Sequence, residues 1–362
     1  MDAFEHIPEQ VEAKRLLRAA LADGPAHGYL LHGPTGVGKR ATALAFASAL
    51  LRDRGRVERR THPDLYILEP LGDQIRIDAV RELRRDLHMR PFEADRRAYL
   101  IFSAQDLNAE AADALLKDLE EPPPYAVFVL VADEVGSLPE TIRSRCQPVP
   151  FRRLSERAVR EWLIERRPDL GGDEATALAR VAAGRLDRAA RLLDPEAAAR
   201  RRALLALARS VYTEPGFEPS VAAEQVVAAS RERGREAKAA AEAGLEALEL
   251  PAREVEQRVR RAQRGAEREE LFDALDALAA WYRDLVAVAV GAERAVIHFD
   301  HLDELRADAG RERLLGAEGA AEAVRALWRS FEEFNVSPPL AFEALFIQLR
   351  RELVGTLASE PV

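Results

Sequence analysis

GPTGVGKR, residues 33–40, decides how the first half of this chain is read. Gly33, Gly36 and Gly38 allow the backbone conformations and close approach that a phosphate-binding loop needs. Lys39 stands where such a loop reaches the outer phosphates. Arg40 takes the place of the Ser or Thr that would hold magnesium, and a guanidinium offers a metal no oxygen. Upstream, Gly28–His32 (GYLLH) reads as a short buried strand; downstream, residues 40–51 (RATALAFASALL) read as a helix. Strand, loop and helix form the context the motif requires. Only Lys14, Lys39, Lys117 and Lys238 are lysines among 53 basic residues, so compositional drift is a poor explanation for Lys39.

Further out, residues 64–68 (DLYIL), 75–77, 98–102 (AYLIF) and 126–131 (AVFVLV) are strand candidates, with helical patterns at 11–22, 79–87 and 108–119. Strands alternating with helices predict a parallel, doubly wound α/β sheet within residues 1–150. After Phe151 the strand signals stop. Short helical patterns broken at Gly184 fill residues 155–206, and Glu214–Pro219 (EPGFEP) reads as a linker. From about residue 221 the chain is expected to be helical throughout. Its charged stretch, 231–270, mixes both signs and reads as a solvated helix surface.

At 362 residues there is room for two or three domains. Hydrophobic content of 48% with 32% charged residues indicates a globular chain. The start, MDAFEHIPEQVEAKRLL, shows no signal peptide, and no apolar run is long enough to span a bilayer, so a cytoplasmic location with no membrane partner is expected. A net charge of −9 argues against a chain that coats nucleic acid by itself. Cys146 is the only cysteine, which excludes a disulfide framework and reads as a small buried apolar residue. His62, within THPD, reads as a turn residue rather than a ligand.

Hydrolysis of a bound triphosphate would need more than the loop. It needs an acid at the end of a neighbouring strand to hold the metal, and a polar group to orient water. Ser103 and Ala104 follow the strand at 98–102, while Asp106 and Glu110 come too late. Ala132 ends the strand at 126–131. With Arg40, three positions that hydrolysis requires carry unsuitable residues.

Residues 108–123 (NAEAADALLKDLEEPP) and 138–147 (LPETIRSRCQ), with Phe4–Gln10 and HGYLLHG at 27–33, resemble the clamp-loader branch of the AAA+ ATPases. Within it the chain is most similar to the non-motor, delta-prime type of subunit. The motifs cover residues 1–190; beyond 220 the likeness is weak, apart from 335–349 (NVSPPLAFEALFIQL), which resembles a last collar helix. The resemblance implies an α/β AAA+ domain over 1–153, a small helical lid over 154–212 and an all-α collar over 213–362. It also implies a pentameric ring with motor and delta-type subunits that acts on a sliding clamp and primed DNA. In that ring Arg145, between Ser144 and Cys146, would reach in trans into a neighbour's ATP site. Arg188 stands where the lid's sensing arginine would lie. Family members often carry a four-cysteine zinc module where this chain has LRDRGRVERR at 51–60, so neither zinc nor another metal is expected. ATP or ADP held without hydrolysis remains open for Gly33, Thr35, Gly36, Val37, Gly38, Lys39 and Arg40. The alternative is an active AAA+ ATPase, either a clamp-loader motor or a branch-migration helicase.

Overall fold

Near-continuous apolar strands, buried on both faces, build the sheet at the centre of the first half. A computed structural model describes residues 2–70, 74–133, 136, 138–245, 252–334 and 336–355. The chain divides into two compact units, Met1–Pro168 with Ala182–Ala189, and Asp169–Val181 with Ala190–Val362.

The first unit runs α1 (Val11–Asp23), β1 (Gly28–His32), α2 (Lys39–Leu51), α3 (Arg54–Glu58), β2 (Leu65–Leu68), α4 (Ile77–Leu87), β3 (Arg97–Ile101), α5 (Ala109–Glu120), β4 (Ala126–Ala132), α6 (Glu140–Arg143), β5 (Gln147–Pro150) and α7 (Glu156–Arg166). All strand pairs are parallel, in the order β2-β3-β4-β1-β5. Tyr29, Leu31, Leu100, Val127 and Val129 pack with Leu17 of α1 and Phe46 of α2 on one face. Leu30, Tyr99, Ile101, Phe128 and Leu130 pack with Val80 and Leu83 of α4 and Leu115 of α5 on the other. The expected doubly wound α/β class is what the sheet shows.

Two strand readings change. Residues 75–77 make only an isolated bridge, Ile75 to Leu107, before α4 begins. β5 (QPVP) lacks a sequence signal because Pro148 and Pro150 cannot donate to a ladder. It survives as an edge strand, paired on one side with β1.

A buried node fixes the entry to the sheet. Asp64, fully buried, accepts from the backbone N–H groups of Phe92 (2.7 Å), Glu93 (2.9 Å) and Ala94 (2.9 Å). Its own N–H donates to His62 Nδ1 at 3.0 Å, so His62 shapes the turn, as its sequence suggests. Arg97 lies 3.8 Å from the Asp64 carboxylate and donates to the Asp86 side chain and to the Asp86, Met89 and Pro63 carbonyls.

The second unit is helical: α8 (Gly172–Ala182), α9 (Leu186–Leu192, shared with the first unit by sequence), α10 (Pro195–Thr213), α11 (Pro219–Leu245), α12 (Ala252–Ala289), α13 (Leu302–Asp308), α14 (Leu314–Glu333) and α15 (Pro338–Gly355). Its core gathers Leu278, Trp281 and Tyr282 of α12 with Val324, Phe342, Phe346 and Leu349. The 38 residues of α12 span about 57 Å. Along the charged stretch, Arg258–Glu254 and Arg260–Glu256 are i,i+4 pairs at 2.6 Å on a solvated surface. Residues 246–251 of that stretch, and Asn335 of the expected last helix, lie outside the described residues.

Burial alone would raise the pKa of Asp64, but its three backbone donors and Arg97 hold it below the ordinary value. Asp64→Asn should therefore cost about 2–3 kcal/mol in denaturant unfolding, the scale of hydrogen bonds to a charged group. Because the folded pKa lies below the unfolded one, this contribution is complete above the ordinary range near 3.8. It is lost as pH falls through the lower folded value, so the gap between variant and parent should narrow there.

Candidate functional site

The loop leaves the C-terminal end of β1 and enters α2. Gly33 (φ 133°), Gly36 (φ 73°) and Gly38 (φ 95°) all adopt conformations that L side chains rarely take. A Cβ on Gly33 would stand 2.3 Å from the Phe151 carbonyl oxygen, and one on Gly36 would stand 1.9 Å from Asp187 Oδ1. Leu186 N–H also donates to the Gly36 carbonyl at 2.7 Å. The loop is thus fitted between the segments at 151 and 184–187. Val37 points into the core, so any part it plays at the site is through its backbone.

Lys39 is 4% exposed and already fully engaged. Its ammonium donates to the carbonyls of Gly33 (2.6 Å) and Pro34, and it pairs with Asp133 at 2.7 Å. An ammonium has three N–H groups, and these acceptors use them. Burial pushes its pKa below the usual lysine value, with Asp133 and Asp187 pulling the other way.

Arg40 is engaged within the chain rather than left facing the loop. β3 ends at Ile101, so Phe102 is the first residue past the strand, one position earlier than the strand end read at Phe102. The Arg40 guanidinium lies 4.4 Å from the Phe102 ring centroid and also pairs with Glu69. A cation–π pair therefore occupies the ground where a loop hydroxyl and a strand-end acid would hold magnesium. Of the residues expected at the strand end, Ser103 lines the cavity and Ala104 is buried in the α4/α5 face. Ala132 is the buried end of β4. Guanidinium and phenyl groups are not metal ligands, so the residues here do not fit a magnesium ion.

The loop opens on a cavity of about 530 Å³, lined also by His6, Ile7, Ser103, Gln105, Trp162 and Arg166. Arg166 stacks on Trp162 at 3.8 Å. Asp133 and Asp187 both face this space, while Leu186 and Asp187 rather than Arg188 border it. The N-terminal segment closes one side: Gln10 bonds the Arg152 backbone through both ends of its amide, and Glu9 accepts from Ser155.

Arg145 lies elsewhere. It lies two residues before β5, whose Gln147 pairs with Tyr29 near the start of β1, whereas the loop follows the far end of β1. A strand of that length separates them by roughly 13–17 Å. Arg145 Nη1 donates to Thr141 O (2.9 Å) and Ser144 Oγ (3.3 Å), and Nη2 pairs with Glu120 at the end of α5. Cys146, buried beside Gly28, has its thiol pushed up to about 12 by desolvation, the state of a packing residue. Among the described residues no group of three or more His, Cys, Asp and Glu side chains could hold a metal.

Residues 9–155 match the family model described as "DNA polymerase III, delta subunit". The chain is 33% identical over 164 residues to DNA polymerase III subunit delta' of Bacillus subtilis, covering 42% of this chain and 50% of the relative. This segment is similar to the delta-prime subunits of bacterial DNA polymerase III. The delta' subunit of Pseudomonas aeruginosa is 36% identical over 159 residues, 40% of this chain and 48% of that one. The chain thus matches about half the length of these curated delta-prime relatives. Among solved structures, a DNA polymerase III gamma subunit-related protein from Thermotoga maritima aligns over 94% of this chain and 99% of its own, at 17% identity and a TM-score of 0.44. No helix among the described residues is long and apolar enough to cross a membrane.

Asp133→Ala would strand a buried ammonium, at a cost of about 1–3 kcal/mol at neutral pH. Since Lys39 has a lowered pKa, the penalty should shrink as pH rises through that value, because a neutral amine needs no counter-charge. Chemical denaturation at pH 7 and at alkaline pH checks both points.

Proposed function

We propose that this chain is a non-motor subunit of a bacterial DNA polymerase III clamp loader, working in the cytoplasm. It helps load a sliding clamp onto primed DNA within a ring of motor and delta-type subunits. The observation that carries this reading is Arg40 stacked on Phe102, which replaces both protein ligands of the catalytic metal. The delta-prime family match over residues 9–155 supports the assembly. The same proposal divides the chain into an AAA+ domain at 1–153, a lid at 154–212 and an oligomerising collar at 213–362.

In this reading the chain hydrolyses no ATP of its own. Its chemical contribution is Arg145, presented to the triphosphate of a neighbouring subunit. A fixed guanidinium there stabilises charge on the transferring phosphoryl group. Placement at the sheet edge away from the chain's own loop supports action on a neighbour rather than in cis.

Two measurements test the proposal. The isolated chain should show no magnesium-dependent ATP turnover above a no-protein control; turnover at ordinary AAA+ rates would make it a motor instead. In a complex reconstituted with tau- or gamma-type ATPase subunits and a delta subunit of the same organism, Arg145→Ala should slow the adjoining site by roughly 10³-fold. Single-turnover hydrolysis would resolve that site from the others, and an unchanged rate would remove the role of Arg145.

A further inference from the structure

Resting on the reading of Arg145 just given, we propose that Glu120 is the positioning residue that holds this guanidinium for a neighbour's triphosphate. An exposed ion pair is ordinarily worth little, and Glu120 and Arg145 are 49% and 33% exposed in their side chains. What distinguishes this pair is its place among fixed anchors. Nη1 is held by the Thr141 carbonyl, within the single turn of α6, and by the hydroxyl of Ser144, its C-cap. Glu120 holds Nη2 from the last residue of α5. The guanidinium is therefore paired at the C-terminal end of α5, where the helix dipole favours a cation.

Glu120 is itself on a rigid platform. The last turn of α5 is tied to α4 by Arg84, which donates to both Asp118 oxygens (3.0 and 3.2 Å) and to the Ala114 carbonyl (2.6 Å). The Glu121 N–H closes the helix on Lys117 O, and Pro122, Pro123 and Pro124 stiffen the exit. Anchored this way, the arginine has given up its rotamer freedom before any phosphate arrives. Of its five N–H groups, three meet these anchors; Nε–H and one N–H of Nη2 have no other partner among the described residues and remain for an anion. Glu120 thus contributes orientation, and Arg145 makes the contact with the phosphoryl oxygens.

The test uses the reconstituted complex with Glu120→Gln, Glu120→Asp, Arg145→Ala and the Glu120→Gln/Arg145→Ala double variant, following single-turnover ATP hydrolysis at the adjoining site. Glu120→Gln should lower its rate about fivefold to tenfold, with the KM for ATP held within about twofold, the signature of lost orientation rather than lost binding. Glu120→Asp should recover part of the rate, and the double variant should be no slower than Arg145→Ala alone. An unchanged or faster rate for Glu120→Gln, with Arg145→Ala slow, overturns the positioning role and leaves the arginine's role standing. A double variant slower than Arg145→Ala also overturns it, since the effect would then be structural. If Arg145→Ala changes nothing, the trans-acting reading fails and the role of Glu120 fails with it.

Discussion

The absence of a side chain at Gly33 is the constraint on which the first unit depends. It lets the chain leaving β1 pass against the Phe151 carbonyl, where any Cβ would collide. Phe151 is the first residue after β5, so the loop and the edge strand are fixed together. From there Arg152 and Ser155 are bonded to Gln10 and Glu9, and the Leu154 N–H donates to the Gly184 carbonyl. Gly184 leads into Leu186 and Asp187, which return to Gly36. One narrow passage thus closes a circuit through the N-terminal segment, the loop, the strand exit and the start of α9.

That circuit bears on what an inherited phosphate loop can do. The glycines keep their unusual backbone conformations, so the loop's shape survives. Its electrostatics have turned inward: Lys39 is answered by Asp133, Gly36 is backed by the Asp187 carboxylate, and Arg40 leans on Phe102 and Glu69. Each positive group that would have served phosphates is partnered within the chain. On the proposed reading the cation offered to another molecule is Arg145, a guanidinium one-third exposed and held by the α6 turn and a carboxylate.

Much of this was legible in the sequence because local rules and the fold agree. The core strands are near-continuous apolar runs, Asn108 caps α5 by accepting from the Ala111 N–H, and the glycines of the loop sit where a positive φ is required. β5 was not legible, since its two prolines are tolerated only by an edge position that no local pattern reveals. Nor was the pairing of Arg40 with Phe102, residues sixty-two positions apart and brought together by the parallel sheet. The sequence marked Arg40 as unsuitable but misplaced its counterpart by one residue, because Phe102 extends the apolar run beyond the true end of β3. Asp133 was missed altogether, because the acid was sought after the strand at 98–102 and not after β4, where Asp133 meets the buried Lys39.

On the proposed reading, the stack of Arg40 on Phe102 also means that no single substitution would build a metal site here. Restoring a hydroxyl at 40 alone would leave an apolar ring where the acid belongs. Restoring an acid at 102 alone would set a carboxylate against a guanidinium, forming an ion pair in place of a metal site. Neither single substitution supplies both oxygen ligands. Two residues that each look like an isolated departure are therefore coupled, and only a double substitution would offer magnesium both protein ligands.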